Sequence, residues 1–447
     1  MYLSKETEFV KVDNGYIIVN LINAAADFIE DWLYNALSGN KFDEIDNEII
    51  AKLESRKYLF ESEVEYKSFI ESVETKITEC EETSVPTFVV VPTYLCNLKC
   101  IYCFEDSYTI HDRSNKSTIE QIDKQFEVID TILKENKSEN SPINITIMGG
   151  EPLIKNNVEN IQRIFELAEK KNFTVDIVTN GVNIVYYLPL FMSKKNVISH
   201  IQVTLDGTRE YHDKRRIFKD KSGTFDIIIK NVKFLIDNDI LVYLRVNVDT
   251  SNINNLPSLA DLLIKNFYPT EMLKPYLYLL QDGGCSGEGN IIKEEIGINK
   301  LLIMEKENEN MKIFDKKYHG HLFIDAIEKN VQFQSMLKHC GAAKKQFIID
   351  CKGNIYKCWH GIGNDNFSVG NFRSGSIEYN KNEIDLWYNR SALKLERCRD
   401  CKYRFICGTG CPAAKHLAND QLEIDKPSCV DYSSIINMVI KLKFSNM

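Results

Sequence analysis

Long apolar runs are absent from this sequence of 447 residues. No stretch reaches the roughly 18 consecutive apolar residues that a membrane-spanning helix needs, so the sequence excludes a membrane span. Residues 1–6 also lack the apolar core of a signal peptide. These two absences predict a cytoplasmic protein with no membrane partner.

An excess of positive charge is missing as well. The formal net charge is −9 at pH 7, whereas a protein that binds nucleic acid through its phosphates needs a basic surface. Nucleic acid is therefore not an expected partner. The negative charge is concentrated in residues 1–85, which carry −11 and leave +2 for the rest of the chain. This asymmetry predicts that residues 1–85 form a separate module.

Cysteine, in contrast, is abundant. The chain has 13 cysteines, and without an export signal they favour metal ligation over disulfides. Three of them follow an apolar, β-branched run with the spacing Cys96-x3-Cys100-x2-Cys103. A cubane iron–sulfur cluster normally takes four thiolates. Three would leave one iron open, and an open position on a metal is typical of a catalytic site. A zinc knuckle and three free thiols are the alternatives.

This CxxxCxxC spacing, with Tyr102 just before the last cysteine, resembles the signature of the radical S-adenosylmethionine (SAM) enzymes. In that family the open iron of a [4Fe–4S] cluster binds the amino and carboxylate groups of SAM. The reduced cluster then splits SAM and forms a 5′-deoxyadenosyl radical, which removes a hydrogen atom from the substrate. The resemblance implies an enzyme in which Cys96, Cys100 and Cys103 are catalytic and Tyr102 contacts the cofactor.

Strand-like and helix-like segments alternate over residues 86–310. Such alternation predicts an α/β fold with a parallel sheet, and the resemblance specifies the partial (β/α)6 barrel of the radical SAM family. Six strands are expected near residues 88–91, 143–148, 174–178, 201–205, 241–248 and 276–280. Ligands bind at the C-terminal ends of the strands in folds of this kind.

Two motifs fall at those strand ends. Gly149, Gly150 and Glu151 close the second strand, and glycine lets a backbone approach a ligand closely. The resemblance places this motif at the SAM amino group. Thr204 ends the fourth strand in a Thr-x-Asp-Gly turn, and Arg216 follows in a segment like that of peptide-modifying radical SAM enzymes. There the corresponding residues bind SAM. An ordinary turn beside a solvated basic cluster is the alternative.

Other polar residues at the strand ends are less specific. The segment 179–181, Arg245 and Asn247 are expected to line the site, and His212 is expected to be structural rather than a general base.

A second set of cysteines lies between residues 340 and 429. Its spacing resembles the SPASM extension of radical SAM proteins, which implies a linker helix and a SPASM domain over residues 311–447. In that family two auxiliary [4Fe–4S] clusters are bound here. The pattern assigns one cluster to Cys398, Cys401, Cys407 and Cys429, and the other to Cys340, Cys358 and Cys411.

The number of ligands for the set of Cys340, Cys358 and Cys411 stays open. Two closed cubane clusters need eight thiolates, and the motif supplies seven. Cys351 is a further candidate ligand, and an open iron with Cys351 as a bystander in a hairpin turn is the alternative. Cys80 and Cys285 are expected to be unligated. For the pair Cys398-x2-Cys401 alone, a zinc ribbon is the competing interpretation.

Residues 1–85 are predicted to start with a β-hairpin and to continue with amphipathic helices. Asn14-Gly15 favours a tight turn within residues 9–20, and apolar residues then recur at helical spacing. The pattern resembles the winged-helix-like module with which many peptide-modifying enzymes hold the leader of a substrate peptide at an exposed sheet edge. A small domain that only packs on the barrel is the alternative.

These features together predict a radical SAM/SPASM maturase, an oxidoreductase acting on a ribosomally synthesised peptide. The expected partners are the precursor peptide, held through its leader, and a reductant such as flavodoxin or ferredoxin. The segment 353–359 resembles maturases of cysteine-rich peptides, so the expected product is a crosslink from a Cys thioether to a peptide carbon.

Two alternatives remain. The first is anaerobic sulfatase maturation, which forms formylglycine. It is disfavoured because Trp359 follows Cys358 where sulfatase maturases carry an acidic residue. The second is a non-catalytic iron–sulfur or zinc scaffold.

Overall fold

A computed structural model describes residues 1–103, 105, 115–280, 290–414 and 423–444. Its N-terminal part consists of β1 (Tyr2–Leu3), β2 (Thr7–Val12), β3 (Gly15–Asn20), β4 (Ala26–Ile29), α1 (Asp31–Ser38), α2 (Asn47–Ser55), β5 (Leu59–Phe60) and α3 (Glu63–Glu82). Strands β2, β3 and β4 form an antiparallel sheet, with Val12 paired to Gly15. The predicted hairpin at Asn14-Gly15 is therefore confirmed.

One edge of this small sheet is tied to the C-terminal end of the chain. The Glu8 carboxylate on β2 accepts hydrogen bonds from the Tyr403 hydroxyl at 2.8 Å and from the Asn437 amide at 3.2 Å. Strand β4 forms the opposite edge, and its residue Phe28 and the neighbouring Trp32 are 43% and 46% exposed. The sheet thus has one packed edge and one edge that carries exposed aromatic side chains.

The central part of the chain alternates strands and helices. Its elements are β6 (Thr87–Val91), α4 (Ile119–Glu135), β7 (Asn144–Ile147), α5 (Val158–Lys170), β8 (Thr174–Thr179), α6 (Leu188–Ser193), β9 (Ile198–Thr204), α7 (Arg209–Arg215), α8 (Phe225–Asp237), β10 (Val242–Val248), α9 (Leu256–Phe267), β11 (Leu273–Leu279), α10 (Glu294–Glu307) and β12 (Asp315–Lys317). Strands β6 to β11 lie side by side in chain order and pair in parallel. The six predicted strands are confirmed.

Local sequence explains why these elements form. Strand β6 is the β-branched run Thr-Phe-Val-Val-Val, and all of it but Thr87 is buried. Helix α4 starts at Thr118, which forms a reciprocal capping box with Gln121. Its apolar residues recur at helical spacing and are buried against the sheet. Burial of these two apolar faces places the helices outside the strands, as the α/β pattern predicts.

The C-terminal part consists of α11 (His321–Lys329), β13 (Gln346–Asp350), β14 (Asn354–Tyr356), β15 (Gly370–Asn371), β16 (Glu378–Tyr379), α12 (Lys381–Asn389), α13 (Glu396–Arg399), α14 (Arg404–Cys407) and α15 (Tyr432–Phe444). Strand β13 pairs in parallel with β6, from Gln346 opposite Thr87 to Asp350 opposite Val91. The C-terminal strands therefore continue the barrel sheet, which reaches 11 strands within the described ranges.

None of the helices that the structure describes combines the length and the apolar character that crossing a bilayer requires.

A buried hydrogen bond supports the junction between β6 and β13. The Tyr94 hydroxyl, just after β6, donates to the Asp350 carboxylate at 2.8 Å, and both residues are buried. Tyr94→Phe leaves this carboxylate with one fewer donor, so we expect a loss of about 1–3 kcal/mol in unfolding free energy. Denaturant unfolding followed by circular dichroism measures it. Tyr186→Phe, at a half-exposed position, is the control, and equal stability of the two variants would contradict the expectation.

Candidate active site and cysteine centres

The loop that carries Cys96, Cys100 and Cys103 follows β6 and is held by backbone contacts. Lys99 donates to the Ile217 carbonyl at 2.8 Å, and Ile101 donates to the Arg215 carbonyl at 3.0 Å. Burial, more than the nearby Glu151 carboxylate, raises the pKa of the Cys96 thiol to about 12, and Cys100 adds to this effect. The first two cysteines are therefore close neighbours. Phe104 and residues 106–114 lie outside the described residues.

Gly149 and Gly150 pack directly against this loop. A Cβ atom on Gly149 would lie 2.3 Å from the Thr93 carbonyl oxygen, and one on Gly150 would lie 2.4 Å from that of Tyr94. The Gly150 amide instead donates to the Thr93 carbonyl at 3.1 Å. Only residues without a side chain permit this approach. The glycine pair thus lets the segment before the cysteine loop pack directly against the residues that follow β7.

Glu151 is buried and forms hydrogen bonds with residues at the end of β8. Its carboxylate accepts hydrogen bonds from the Thr179 hydroxyl at 2.6 Å, the Asn180 amide at 2.6 Å and the Leu153 amide at 2.9 Å. Burial raises the pKa of Glu151, and the bonds from Thr179 and Asn180 act in the opposite direction. Both oxygens are thus used within the protein. The contact with the SAM ammonium stays a prediction, and the segment 179–181 is placed at the site through this carboxylate.

The Tyr102 hydroxyl is the centre of a buried polar cluster. It donates to the Asp206 carboxylate and accepts from Arg216 Nη1 at 2.8 Å and from the Asn247 side-chain amide at 3.1 Å. Tyr102, Arg216 and Asn247 were expected at the site, but their meeting at one phenol was not predicted. Asp206 was expected only as part of the Thr-x-Asp-Gly turn, and a buried aspartate just after a strand needs hydrogen-bond partners.

Arg216 carries a donor that the described protein groups leave unused. Its side chain is buried, and Nε has no hydrogen-bond partner among the residues that the structure describes. Burial alone would lower the pKa of Arg216, but the neighbouring Cys100, Tyr102 and Asp206 raise it above its usual value. A guanidinium with a spare donor beside a cysteine loop suits a carboxylate ligand. These residues therefore fit the SAM carboxylate that the resemblance implies.

A second buried arginine holds the turn around Asp206. Arg215 Nη1 donates to Asp249 at 2.6 Å, and Arg215 Nε reaches Asp206 at 3.4 Å. His212 Nδ1 accepts from the Asp206 amide at 3.1 Å, and burial lowers the pKa of His212 to about 4. The histidine is therefore neutral and orients the turn, which agrees with the structural role expected for it.

Thr204, the last residue of β9, lies opposite Arg245, which is in the middle of β10. Arg245 Nε donates to the Asn247 side-chain oxygen at 2.8 Å, and its guanidinium lies 4.3 Å from the centre of the Tyr278 ring. The structure therefore brings Thr204, Arg245 and Asn247 to the same sheet edge as Tyr102. Their contacts with SAM or substrate stay predictions.

The C-terminal cysteines fall into two groups. Burial raises the pKa of the Cys407 thiol to about 12, and Cys398, Cys401 and Cys429 are the nearby groups that raise it further. Burial also raises the pKa of Cys358, with Cys411 and Cys340 as its charged neighbours. We call these the first auxiliary group (Cys340, Cys358, Cys411) and the second auxiliary group (Cys398, Cys401, Cys407, Cys429).

These groups have the composition that the SPASM resemblance implies. Among the described residues, no three His, Cys, Asp or Glu side chains converge as ligands of one metal ion. A cubane cluster binds each thiolate through a different iron. The donor set, seven thiols in two neighbourhoods, fits iron–sulfur clusters, and the ligand roles remain predictions.

Cys351 lies apart from both groups. It is 3% exposed and packs in an apolar cluster with Val91, Tyr94 and Met148. Burial and the neighbouring Asp350 raise the pKa of its thiol. It follows β13 in the hairpin turn before β14, where Gly353 adopts a φ of +85°. This position favours the bystander interpretation. Cys80 is exposed on α3, and Cys285 lies outside the described residues.

A cavity of about 220 Å³ lies between the barrel and the auxiliary groups. Tyr278, at the end of β11, lines it together with His339, Ile406 and Tyr432. Tyr278 contacts Arg245 on one side. Burial raises the pKa of Tyr278, and the nearby Cys411 adds to this effect. Tyr432 forms a hydrogen bond with the Cys407 thiol. Lining residues of the cavity thus contact Arg245 and Cys407, through Tyr278 and Tyr432 respectively.

Comparison with known proteins adds the identity of the central region. Residues 90–263 match the Radical SAM superfamily. The chain carries a radical SAM domain. The family uses a [4Fe–4S] cluster and SAM, and the protein is an enzyme. The matched region includes Cys96, Cys100 and Cys103 and extends through the buried cluster around Tyr102.

Relatives match the radical SAM domain and most of the remaining chain. A cysteine-type anaerobic sulfatase-maturating enzyme of Clostridium novyi is 25% identical over 338 residues, 71% of this chain and 84% of the relative. The mycofactocin maturase MftC of Mycobacterium tuberculosis is 23% identical over 76% of this chain and 81% of its own. The structure of Streptococcus suis SuiB bound to precursor peptide SuiA has a TM-score of 0.53 at 16% identity, and covers 92% of this chain and 95% of SuiB.

The unused donor of Arg216 makes a prediction about SAM binding. Arg216→Gln removes a buried charge-assisted hydrogen bond, which contributes about 1.5–3 kcal/mol, so we expect SAM affinity to fall by roughly 10- to 100-fold. Equilibrium dialysis with the cluster-loaded protein measures it. Arg209→Gln, an exposed arginine on the same helix, is the control. Equal affinity of both variants would show that Arg216 does not contact SAM.

Proposed function

We propose that this enzyme is a radical SAM maturase of a ribosomally synthesised peptide and that it forms a thioether crosslink. The observation that carries the proposal is the joining of two cysteine regions by one pair of strands. Strand β6 leads into the Cys96–Cys103 loop, and β13, paired with it, leads towards Cys358. A cavity lined by Tyr278 lies at the other side of the barrel strands, and His339 and Ile406, which also line it, directly precede Cys340 and Cys407 in the chain. Such a cavity suits a substrate residue that has to lie close to the auxiliary groups.

In this proposal Cys96, Cys100 and Cys103 hold the SAM-binding cluster. Arg216 binds the SAM carboxylate through its unused Nε–H, while Tyr102 fixes the guanidinium from the opposite side. Gly149 and Gly150 allow the close backbone approach on which the loop depends. Thr204 supplies a hydroxyl at the same edge. When bound, the cluster and SAM supply the radical that abstracts hydrogen; the protein residues hold and orient SAM.

The electron balance of a crosslink gives the auxiliary groups a role. A C–S bond made from a C–H and an S–H removes two hydrogens from the peptide. One leaves as a hydrogen atom, taken by the SAM-derived radical. The other leaves as a proton, and one electron remains to be accepted. The first auxiliary group, with three cysteines in the motif, suits an electron acceptor with an open coordination position for a substrate thiolate.

The N-terminal module suits a leader peptide. Its β4 edge lies opposite the edge that Glu8 ties to the C-terminal end of the chain, and strand addition at such an edge is a common mode of peptide binding. The module's charge of −11 favours a basic leader. The precursor peptide bound to SuiB, a protein of similar fold, supports a peptide partner. A flavodoxin or ferredoxin would supply electrons.

Sulfatase maturation is the second candidate, and the similarity to the Clostridium novyi enzyme favours it. The residues after Cys358 oppose it. Trp359 and His360 form a short 3-10 turn there, and burial lowers the pKa of His360 to about 4. Trp359, whose indole cannot act as a base, stands where the sulfatase-maturing enzymes of the family carry the carboxylate.

The mass of the modified peptide tests the proposal. We expect a short Cys-containing peptide encoded beside the gene, co-expressed anaerobically with the enzyme, to lose two hydrogens and one alkylatable thiol per crosslink. A Cys96→Ala/Cys100→Ala/Cys103→Ala variant should abolish the change, because three ligands of one cluster are removed. Cys80→Ala, an exposed cysteine on α3, should leave it intact. Mass spectrometry with thiol alkylation measures both.

An unchanged peptide mass, with SAM still cleaved to 5′-deoxyadenosine, would contradict peptide crosslinking. Formylglycine on a sulfatase-motif peptide would then identify the second candidate. Absence of 5′-deoxyadenosine after reduction would favour the non-catalytic scaffold.

The exposed aromatics beside β4 make a separate prediction. Replacing Phe28 and Trp32 together by alanine removes two exposed side chains from the proposed leader edge. We expect leader-peptide affinity to fall at least tenfold, since aromatic anchors commonly dominate interfaces. Fluorescence anisotropy of a labelled leader measures it. Val185→Ala/Tyr186→Ala, an exposed pair on the barrel, is the control. Unchanged affinity would leave the module with a packing role.

A further inference from the structure

Arg390 is among the most deeply buried large side chains of the described chain. It follows α12 and is 1% exposed. Within the described ranges, its guanidinium donates only to backbone carbonyls. The acceptors are Ile424 at 2.6 Å, Lys426 at 2.6 Å, Gly410 at 3.1 Å and Thr409 at 3.3 Å. One side chain thus uses its two terminal nitrogens to hold four carbonyl groups.

Those carbonyls belong to the segments that carry the auxiliary cysteines. Thr409 and Gly410 lie between Cys407 of the second auxiliary group and Cys411 of the first. Ile424 and Lys426 lie on the segment that leads to Cys429. The two segments touch, because a Cβ on Gly410 would lie 1.9 Å from the Ser428 carbonyl oxygen. Arg390 therefore ties together the loops that determine where three ligand candidates stand.

The charge of this guanidinium has no carboxylate partner among the residues that the structure describes. Arg404, a second buried arginine in the same region, is neutralised by carboxylates. Glu74 lies 3.1 Å and Glu6 3.7 Å from its Nη2. An unpaired buried charge costs several kcal/mol. For Arg390 the nearby ionisable groups that raise its pKa against the lowering effect of burial are Cys340, Cys411, Cys398 and Cys407.

One donor of Arg390 also remains unused. Nε is buried and has no partner within the described part of the chain. The side chain therefore presents a positive charge and a spare N–H near thiols of both auxiliary groups. Anionic thiolate-bound clusters would supply the missing counter-charge.

We propose that Arg390 is a positioning residue shared by the two auxiliary centres, which ties their loops and raises the reduction potentials of their clusters. The inference rests on the proposed function, since it assumes that these cysteines bind clusters. Reduction adds negative charge to a cluster, and a fixed cation at short range stabilises the reduced form. Hydrogen bonds and nearby charge are known determinants of cluster potentials.

The test compares the full-length wild type with Arg390→Gln, Arg390→Lys and Arg373→Gln. Arg373 is a half-exposed arginine of the same region, paired with Asp365, and serves as the control. Each protein is reconstituted anaerobically, its iron and sulfide are counted, and its clusters are titrated by EPR at controlled potential. The cluster of the Cys96–Cys103 loop is the internal reference, because the hydrogen bonds of Arg390 within the described residues go to Thr409, Gly410, Ile424 and Lys426.

We expect Arg390→Gln to lower the auxiliary potentials by at least 59 mV, a tenfold change in a one-electron equilibrium, with the internal reference unchanged. Arg390→Lys should keep potentials near the wild-type value, because it keeps the charge, but it should lose auxiliary iron faster to a chelator, because it cannot hold four carbonyls. Failure of Arg390→Gln to take up auxiliary iron on reconstitution, where Arg390→Lys still takes it up before the chelator is added, also supports the proposal, because only the Arg390→Gln variant lacks the charge.

Auxiliary potentials of Arg390→Gln within the spread of the Arg373→Gln control, at full iron content, would overturn the inference and leave the proposed function standing. Iron for a single cluster in the wild type would overturn the auxiliary assignment itself, and with it the role of Arg390. The iron count therefore separates the two failures.

Discussion

Strand β6 is hydrogen-bonded on both sides, and the rest of the structure depends on that pairing. β7 lies on one side and β13 on the other, both parallel to β6. The Cys96–Cys103 loop starts where β6 ends, the glycines that support it start where β7 ends, and the hairpin towards Cys358 starts where β13 ends. Parallel register brings these three ends to one edge of the sheet. Two distant cysteine regions are thereby fixed relative to each other by backbone hydrogen bonds.

The polar groups at this edge form a closed set of buried partners. Tyr102 joins Asp206, Arg216 and Asn247, and Arg215 neutralises Asp206 and Asp249. Buried charges are stable only when they are paired and hydrogen-bonded. Replacing one member would leave another unsatisfied, so the cluster holds its side chains in one arrangement. Arg216 Nε is the exception, since it has no partner among the described residues, and a spare donor on a buried guanidinium suits an anionic ligand.

Much of this fold could be predicted because most of its strands and turns are determined by short stretches of sequence. Each of the strands β6 to β11 is an apolar run flanked by turns, and the Asn14-Gly15 hairpin needs only its own residues. The pairing of β13 with β6 joins residues more than 250 positions apart in the chain, and the short, apolar sequence of β13 does not name its partner. The strand was therefore absent from the prediction, although the hairpin at Asp350–Asn354 was expected.

The same distinction applies to the site. The cysteine spacing and the glycine pair could be read from the sequence, since the chemistry of each lies within a few neighbouring residues. The bonds of Glu151 to Thr179 and Asn180, and the meeting of Tyr102 with Asp206 and Asn247, depend on which strand ends adjoin. Sequence spacing alone does not give that order. Arg390 was not predicted at all, because an arginine after an amphipathic helix ordinarily reaches solvent.

A buried basic side chain lies near the cysteines of each centre, and the two auxiliary groups share one of them, Arg390. The charge of Arg216 interacts with the Cys100 thiol, and the charge of Arg390 interacts with thiols of both auxiliary groups. Lys357, fully buried before Cys358, donates to the Lys344 carbonyl at 2.8 Å, and burial lowers its pKa to about 7 while Cys340 acts in the opposite direction. Thiolates in an apolar interior are costly because burial disfavours the charged form. A cation fixed by backbone carbonyls offsets that cost without offering a carboxylate that would compete for it. The use of carbonyls rather than acidic side chains as partners of Lys357 and Arg390 is thus what leaves their charge available to the cysteines.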